Sequence, residues 1–278
     1  MNNNRQRDEL YRTPLADIGG FRFDEHVVDV FPDMLVRSVP GYRSIIAQSG
    51  LLAERFAQAD THCYDLGCSL GATLLAMRHA IGERDCHLVG VDNSSVMLAK
   101  CQELIALDDQ QWNKQSDLHT ADNTEGEDNK STFASPAAVP ARAPAKVSLI
   151  NADIAQIELQ PASVVAMNFT LQFIKPGNRD ELLAKIAAAT VQGGALVLSE
   201  KVEFDDPVLN ELYIDRYHAF KRANGYSELE VSQKRSALER VLIPDSIETH
   251  TRRLEKAGFS HCSVWFQCFN FVSMIAVK

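Results

Sequence analysis

The stretch YDLGCSLGAT, residues 64–73, sets Asp65, Gly67, Ser69 and Gly71 where an apolar strand pattern gives way to a helical one. The sparest reading is a tight strand-to-helix turn that needs glycine. A second reading is a nucleophile elbow, because Gly67-Cys68-Ser69-Leu70-Gly71 fits G-x-S-x-G. An elbow is expected after several strands, whereas this turn follows the first, and hydrolase chemistry leaves Asp65 and Asp92 unexplained. A third reading is a nucleotide-type cofactor site. Glycines let the backbone approach a ligand, and an acid ending the second strand takes ribose hydroxyls. Asp92, in VGVDNSS, follows Gly67 by about 25 residues, near the roughly 20 expected.

The dinucleotide fingerprint is incomplete, since Ser69 and Ala72 stand where its second and third glycines would be. NAD is therefore disfavoured. No P-loop lysine follows, which disfavours ATP. A cofactor with a ribose and an adenine but no pyrophosphate fits best, and S-adenosyl-L-methionine is such a molecule. Asp153, in NADIAQ, just past the third strand, suits an adenine amino group or a solvated turn. Asn168, in MNFTLQF, ends the fourth strand, where ligands of such sheets sit. A buried polar side chain there needs a partner, and a ligand would supply it.

The elements that must position these residues alternate. THCYDLGC, CHLVGVDN, VSLINAD, ASVVAMNFT and GALVLSEK read as strands, with helices predicted at 71–81, 94–106 and 178–190. This rhythm predicts an α/β fold, a mostly parallel sheet with helices on both faces. HCSVWFQ and NFVSMIAVK bring the strands to seven and are close enough for a C-terminal antiparallel hairpin. Residues 42–56 also have helical apolar spacing. One domain over 21–278 is expected, after a flexible N-terminus at 1–20. Residues 107–146 are rich in Asp, Asn, Ser, Pro and Ala, and such a stretch is expected to be a disordered insertion. Residues 207–242 read as a helical insertion, with an apolar stripe of Leu209, Leu212, Tyr213 and Tyr217.

The net charge of −9 argues against direct nucleic-acid binding, which rests largely on phosphate attraction. None of the six cysteines forms a C-x-x-C pair, so no metal is expected. The start, MNNNRQRDEL, lacks the apolar core of a signal peptide, and no apolar run is long enough to span a bilayer. A soluble cytoplasmic protein is expected.

FDEHVVDVFPDMLVRSVPGY, YDLGCSLGAT, VDNS, MNFTLQF, GGALVLSEK, FKRANGYSELEVSQKRSALE and WFQCFNF together resemble the carboxy-S-adenosyl-L-methionine synthase family. The resemblance covers nearly the whole chain, apart from the N-terminus and residues 107–146. It implies a Rossmann-like class I methyltransferase fold without methyl transfer. The family makes carboxy-S-adenosyl-L-methionine from S-adenosyl-L-methionine and prephenate, releasing phenylpyruvate. The product then serves a tRNA carboxymethyltransferase that builds 5-oxyacetyl uridine at the wobble position. The resemblance also implies a homodimer. By match of motif, it implies ligand contacts at Tyr42, Gly67, Cys68, Ser69, Asp92, Asn93, Asp153, Ile154, Asn168 and Arg235.

The implied chemistry needs no strong base from the protein. A sulfonium acidifies its methyl group, and prephenate aromatises by losing carbon dioxide and hydroxide. The hydroxide can take the methyl proton, and the carbanion can capture the carbon dioxide. The protein must position the partners and exclude water. In this scheme Arg235 holds the new carboxylate, a task suited to the planar, always-charged guanidinium fork. Roles for Arg37, His218 and Arg222 in the same pocket stay open beside surface roles, and Trp265 and Phe266 are expected in the core or a dimer interface. Of Lys221, Arg222, Lys234 and Arg235, two would suit a dicarboxylate substrate. The alternatives are an ordinary methyltransferase on a small acid or a tRNA uridine, and a cofactor-binding scaffold for the downstream tRNA enzyme.

Overall fold

The computed structural model describes residues 6–15, 19–122, 145–239 and 241–278, with the backbone alone over 114–122. Seven strands form its sheet: β1 (Thr61–Leu66), β2 (Cys86–Asp92), β3 (Val147–Asn151), β4 (Ala162–Asn168), β5 (Thr190–Lys201), β6 (His261–Cys268) and β7 (Phe271–Val277). They lie in the order β3-β2-β1-β4-β5-β7-β6. The first five run parallel, and β7 and β6 close the sheet antiparallel, as the hairpin reading requires. β1 and β4 are parallel neighbours although chain order separates them, so the strand order reverses between them, and a crevice opens at their carboxyl ends.

The described residues also form a short 3-10 helix (Leu171–Phe173) and nine α-helices: α1 (Glu25–Val28), α2 (Phe31–Ser38), α3 (Tyr42–Phe56), α4 (Ala72–Ile81), α5 (Ser95–Asp122), α6 (Pro176–Ala189), α7 (Pro207–Ala223), α8 (Glu228–Leu238) and α9 (Ile247–Ala257). Each sheet face is buried. Leu66, Val91, Val165 and Leu196 pack with Leu183 and Ile186 of α6, and Leu74 and Met77 of α4 pack with Leu88 and Val164 on the other side. Near-continuous apolar runs in β2 and β4 follow from this two-sided burial. Each fully buried side chain of this kind contributes about 1.5–3 kcal/mol.

Two expectations are corrected. Helix α5 does not stop near residue 106 but continues through Asp122. Arg78 pairs with Asp108 at 2.9 Å, and His79 bonds the same carboxylate at 2.6 Å. The stretch that reads as the start of a disordered insertion is thus tied to α4. Residues 123–144 of that expected insertion lie outside the described residues.

Nor are residues 6–15 loose. Asp8 is buried and pairs with Lys234 at 2.8 Å, and Gln233 donates to the carbonyls of Tyr11 and Thr13 at 3.0 and 2.8 Å. Polar composition hid this because much of the segment's anchoring is ionic and polar, with Leu10 adding an apolar contact to the cluster around Val27 and Phe31. Residues 1–5 and 16–18 lie outside the described residues.

The 207–242 insertion is helical, but as two helices. Asp206 caps α7, with Pro207 in its first turn, and Ser227 and Glu230 form a reciprocal capping box on α8. The apolar stripe of α7 divides: Tyr217 is buried, whereas Leu209 and Leu212 are exposed.

Candidate active site

A cleft of about 1280 Å³ lies across the carboxyl ends of β1, β2, β4 and β5, roofed by α2, α7 and α8. It is lined by all ten residues picked out by the family resemblance: Tyr42, Gly67, Cys68, Ser69, Asp92, Asn93, Asp153, Ile154, Asn168 and Arg235.

Its floor is the glycine turn. Gly67 has φ +80°, and a Cβ there would strike the Thr170 side chain. Gly71 also has φ +80° and caps α4, where a Cβ would come 2.5 Å from Cys101 Sγ. Ser69 and Phe169, two non-glycine residues facing the cleft, share left-handed backbone at φ 47° and 61°. Such strain persists where its surroundings fix it. Ser69 N–H donates to Asp92 Oδ2 at 2.9 Å. Beyond Phe169, the buried Glu200 accepts the N–H groups of Leu171 and Gln172, each at 2.9 Å. Burial pushes the Glu200 carboxyl up to about 8.

Three carboxylates serve this half. Asp65 is fully enclosed, and its Oδ2 is buried with no partner among the described residues. Burial pushes it up to about 7, and the nearby Asp92 charge adds to the effect. Burial also raises Asp92, against the N–H donors of Ser94 and Ser69. Asp153 sits at the exposed rim, where its Oδ1 caps Ala155 N–H at 2.8 Å. Lys185 steadies that turn through the carbonyls of Ile154, Ala155 and Ile157. Tyr42 starts α3 behind Gly41, whose φ of +75° leaves space that Phe266 fills. Burial and the Asp65 charge both raise the Tyr42 phenol.

Asn168 lines the cleft, but without an unmet hydrogen bond. Its side chain is satisfied within the protein, donating to Ser49 and Thr73 Oγ atoms at 3.3 and 3.1 Å and accepting from Ser199 at 2.6 Å. Its amide is a strut between β4, β5 and two helices, so the argument from an unmet bond does not hold there. Among the described residues lining the cleft, the buried side-chain atom left without a partner is Asp65 Oδ2.

The opposite wall is cationic. Arg235 on α8 lines it with Nε held by Glu239 at 2.6 Å, one turn along, and its side chain is 60% exposed. His218, Lys221 and Lys201 line the same wall. Arg37 lies behind it, donating to Asn224 O and Asp8 O and pairing with Asp33 at 3.0 Å. Arg222 pairs with Glu228 at 3.4 Å, and Lys234 with Asp8. Trp265 and Phe266 do not line the cleft. The sequence reading passed over Lys201, although it ends β5 just as Asn168 ends β4.

Comparison with known proteins decides between the readings that this geometry admits. No family model matches the chain. Carboxy-S-adenosyl-L-methionine synthases of Aliivibrio fischeri and of a Geobacter species are each 47% identical to it, over 271 and 274 residues. These alignments cover 98% and 99% of the chain and the same shares of those proteins. The Klebsiella pneumoniae synthase is 46% identical over 272 residues, covering 98% of this chain and 97% of that one.

The chain belongs to the carboxy-S-adenosyl-L-methionine synthase family.

It is therefore a transferase with a methyltransferase-type fold. Solved structures show the same fold at low identity. Human N-acetylserotonin methyltransferase in complex with S-adenosylmethionine aligns with a TM-score of 0.52 at 13% identity, over 90% of this chain and 54% of that one. A Methanococcus maripaludis protein described as an S-adenosylmethionine-dependent methyltransferase gives 0.52 at 16%, over 95% and 97%. Among the described residues no helix is long and apolar enough to cross a membrane.

Proposed function

We propose that this synthase-family chain converts S-adenosyl-L-methionine and prephenate to carboxy-S-adenosyl-L-methionine, phenylpyruvate and water. The observation that carries this reading is one cleft with a carboxylate floor and a cationic wall. A methyltransferase needs only the first. The buried, unpartnered Oδ2 of Asp65 suits the ammonium of the methionine moiety, beside Tyr42. Asp92 and Asn93 suit the ribose hydroxyls, Asp153 and Ile154 the adenine at the rim, and the backbone of Gly67, Cys68 and Ser69 the body of the molecule.

S-adenosyl-L-methionine supplies an acidic methyl group, and prephenate supplies both the carbon dioxide and the hydroxide that takes the methyl proton. The chain's own residues orient and enclose. Tyr42, Phe169 and Phe271 keep the reacting end of the cleft apolar, which keeps water from competing for the carbon dioxide. Arg235 holds the carboxylate of the product through its Nη groups, with Glu239 fixing the fork from behind. No side chain is assigned as a base. We further propose, as the family resemblance implies, a cytoplasmic homodimer that hands its product to a tRNA carboxymethyltransferase for wobble-uridine modification without itself binding tRNA.

Mass spectrometry of the ligand retained by the purified protein, then of its reaction with both substrates, tests the proposal. Carboxylated cofactor and phenylpyruvate are expected. A methylated acceptor formed without prephenate would instead support an ordinary methyltransferase.

A further inference from the structure

Two buried lysines on α7 and α8 differ in one respect. Lys234 is 3% exposed and bonded to Asp8, Ser38 and Tyr226, with Asp8 as its counter-ion. Lys221 is 2% exposed, lines the cleft, and has no hydrogen bond or ion pair among the described residues. Its Nζ lies 4.3 Å from the centroid of the Tyr217 ring. Lys201, at the carboxyl end of β5, lies over the same ring at 5.4 Å and also lacks an anionic partner among the described residues. A cation taken out of water needs a counter-charge. The ring face supplies a small part of it.

The surroundings supply little more. Arg235 on α8 adds positive charge, His218 on α7 is held below the usual imidazole range by burial and then by the cations around it, Glu239 is engaged by Arg235, and Asp8 acts on Lys221 only from behind the wall, where it already holds Lys234. Burial lowers both lysines, and the nearby Lys221 and Arg235 depress Lys201 and His218 further. A wall of this kind is complete only with an anion on it.

A dicarboxylate donor has two carboxylates with different fates. The one that leaves as carbon dioxide must shed its negative charge, and a grip by two ammonium groups would oppose that loss. The one that stays keeps its charge throughout, so gripping it holds the donor without raising the barrier. We propose that Lys201 and Lys221 bind the carboxylate that remains on the keto-acid product, leaving Arg235 for the carboxyl group that moves. This inference rests on the donor assigned above.

The test uses Lys201→Met and Lys221→Met in the full-length protein, which remove charge but keep most of the side-chain volume. Expected in each is a rise of about 10- to 100-fold in KM for prephenate and in the inhibition constant of phenylpyruvate. S-adenosyl-L-methionine and carboxy-S-adenosyl-L-methionine should bind within about twofold of wild type, because neither carries the retained carboxylate. Unchanged phenylpyruvate inhibition would overturn the inference, as would an equal loss of carboxylated-cofactor affinity. If Lys221→Met no longer binds S-adenosyl-L-methionine, Lys201→Met, at a half-buried site, decides the matter. Failure of the underlying reading looks different: the wild type itself would neither turn over prephenate nor bind phenylpyruvate.

Discussion

The two halves of the cleft have opposite charge and opposite construction. The floor is made of strand ends and a glycine turn, and its side chains are acidic: Asp65, Asp92 and Asp153. The wall is made of helices inserted between β5 and β6, and its side chains are basic: His218, Lys221 and Arg235, with Lys201 joining from β5. The floor belongs to the sheet and rests on the core beneath it. The wall depends on clamps, chief among them the Asp8–Lys234 pair and the Gln233 bonds to the N-terminal segment. The floor thus suits the cationic cofactor proposed above, and the wall is where a different reaction can be grafted on.

The largest effect is expected where the wall is clamped. Asp8→Ala leaves Lys234 buried without its counter-ion, and it should cost about 3–5 kcal/mol of stability, read by denaturant unfolding. Affinity for the carboxylated cofactor should fall more than affinity for S-adenosyl-L-methionine. An unchanged midpoint would show that the N-terminal segment is not a clamp. Next, Gly67→Ala attacks the floor. A Cβ in left-handed backbone against Thr170 should cost roughly 2–4 kcal/mol and abolish retention of S-adenosyl-L-methionine in calorimetry.

Arg235→Ala should weaken carboxy-S-adenosyl-L-methionine binding by about 10- to 100-fold, as for a lost charged hydrogen bond, and S-adenosyl-L-methionine binding far less. Equal losses would make Arg235 structural. The pH profile separates the halves in one experiment. Asp65, raised to about 7, must be ionised to meet an ammonium, so cofactor affinity should rise with pH up to that point. Lys221, lowered to about 8, must be protonated to meet a carboxylate, so donor affinity should fall above it. The quotient kcat/KM for prephenate should therefore decline on the alkaline side, and Lys221→Met should remove that limb. The smallest effect belongs to Asp153→Asn at the solvated rim, expected to weaken S-adenosyl-L-methionine only a few-fold, since exposed polar pairs contribute about 0–1 kcal/mol.

Much of the floor was legible in the sequence because its rules are local. A glycine turn after an apolar strand and an acid ending the next strand name their own positions, and Gly67 and Asp92 stand where that pattern puts them. The wall was legible only through resemblance. No period or spacing says that Lys221 faces a cleft while Arg222 faces Glu228, because helix rotation is set by packing against distant elements. Asn168 misled for a related reason: its partners, Ser49, Thr73 and Ser199, are far apart in sequence and meet it only in the fold. The ionic burial of Asp8 and the extension of α5 through Asp122 likewise depend on long-range pairs that composition does not record.

The central claim is that the wall turns a methyl-transfer fold to carboxyl transfer. Prephenate labelled with carbon-13 in its ring carboxylate tests it most directly. Incubated with the protein and S-adenosyl-L-methionine, it should yield carboxy-S-adenosyl-L-methionine carrying the label and phenylpyruvate without it. Label released only as carbon dioxide, with S-adenosyl-L-methionine unchanged or spent as a methyl donor, would contradict the account.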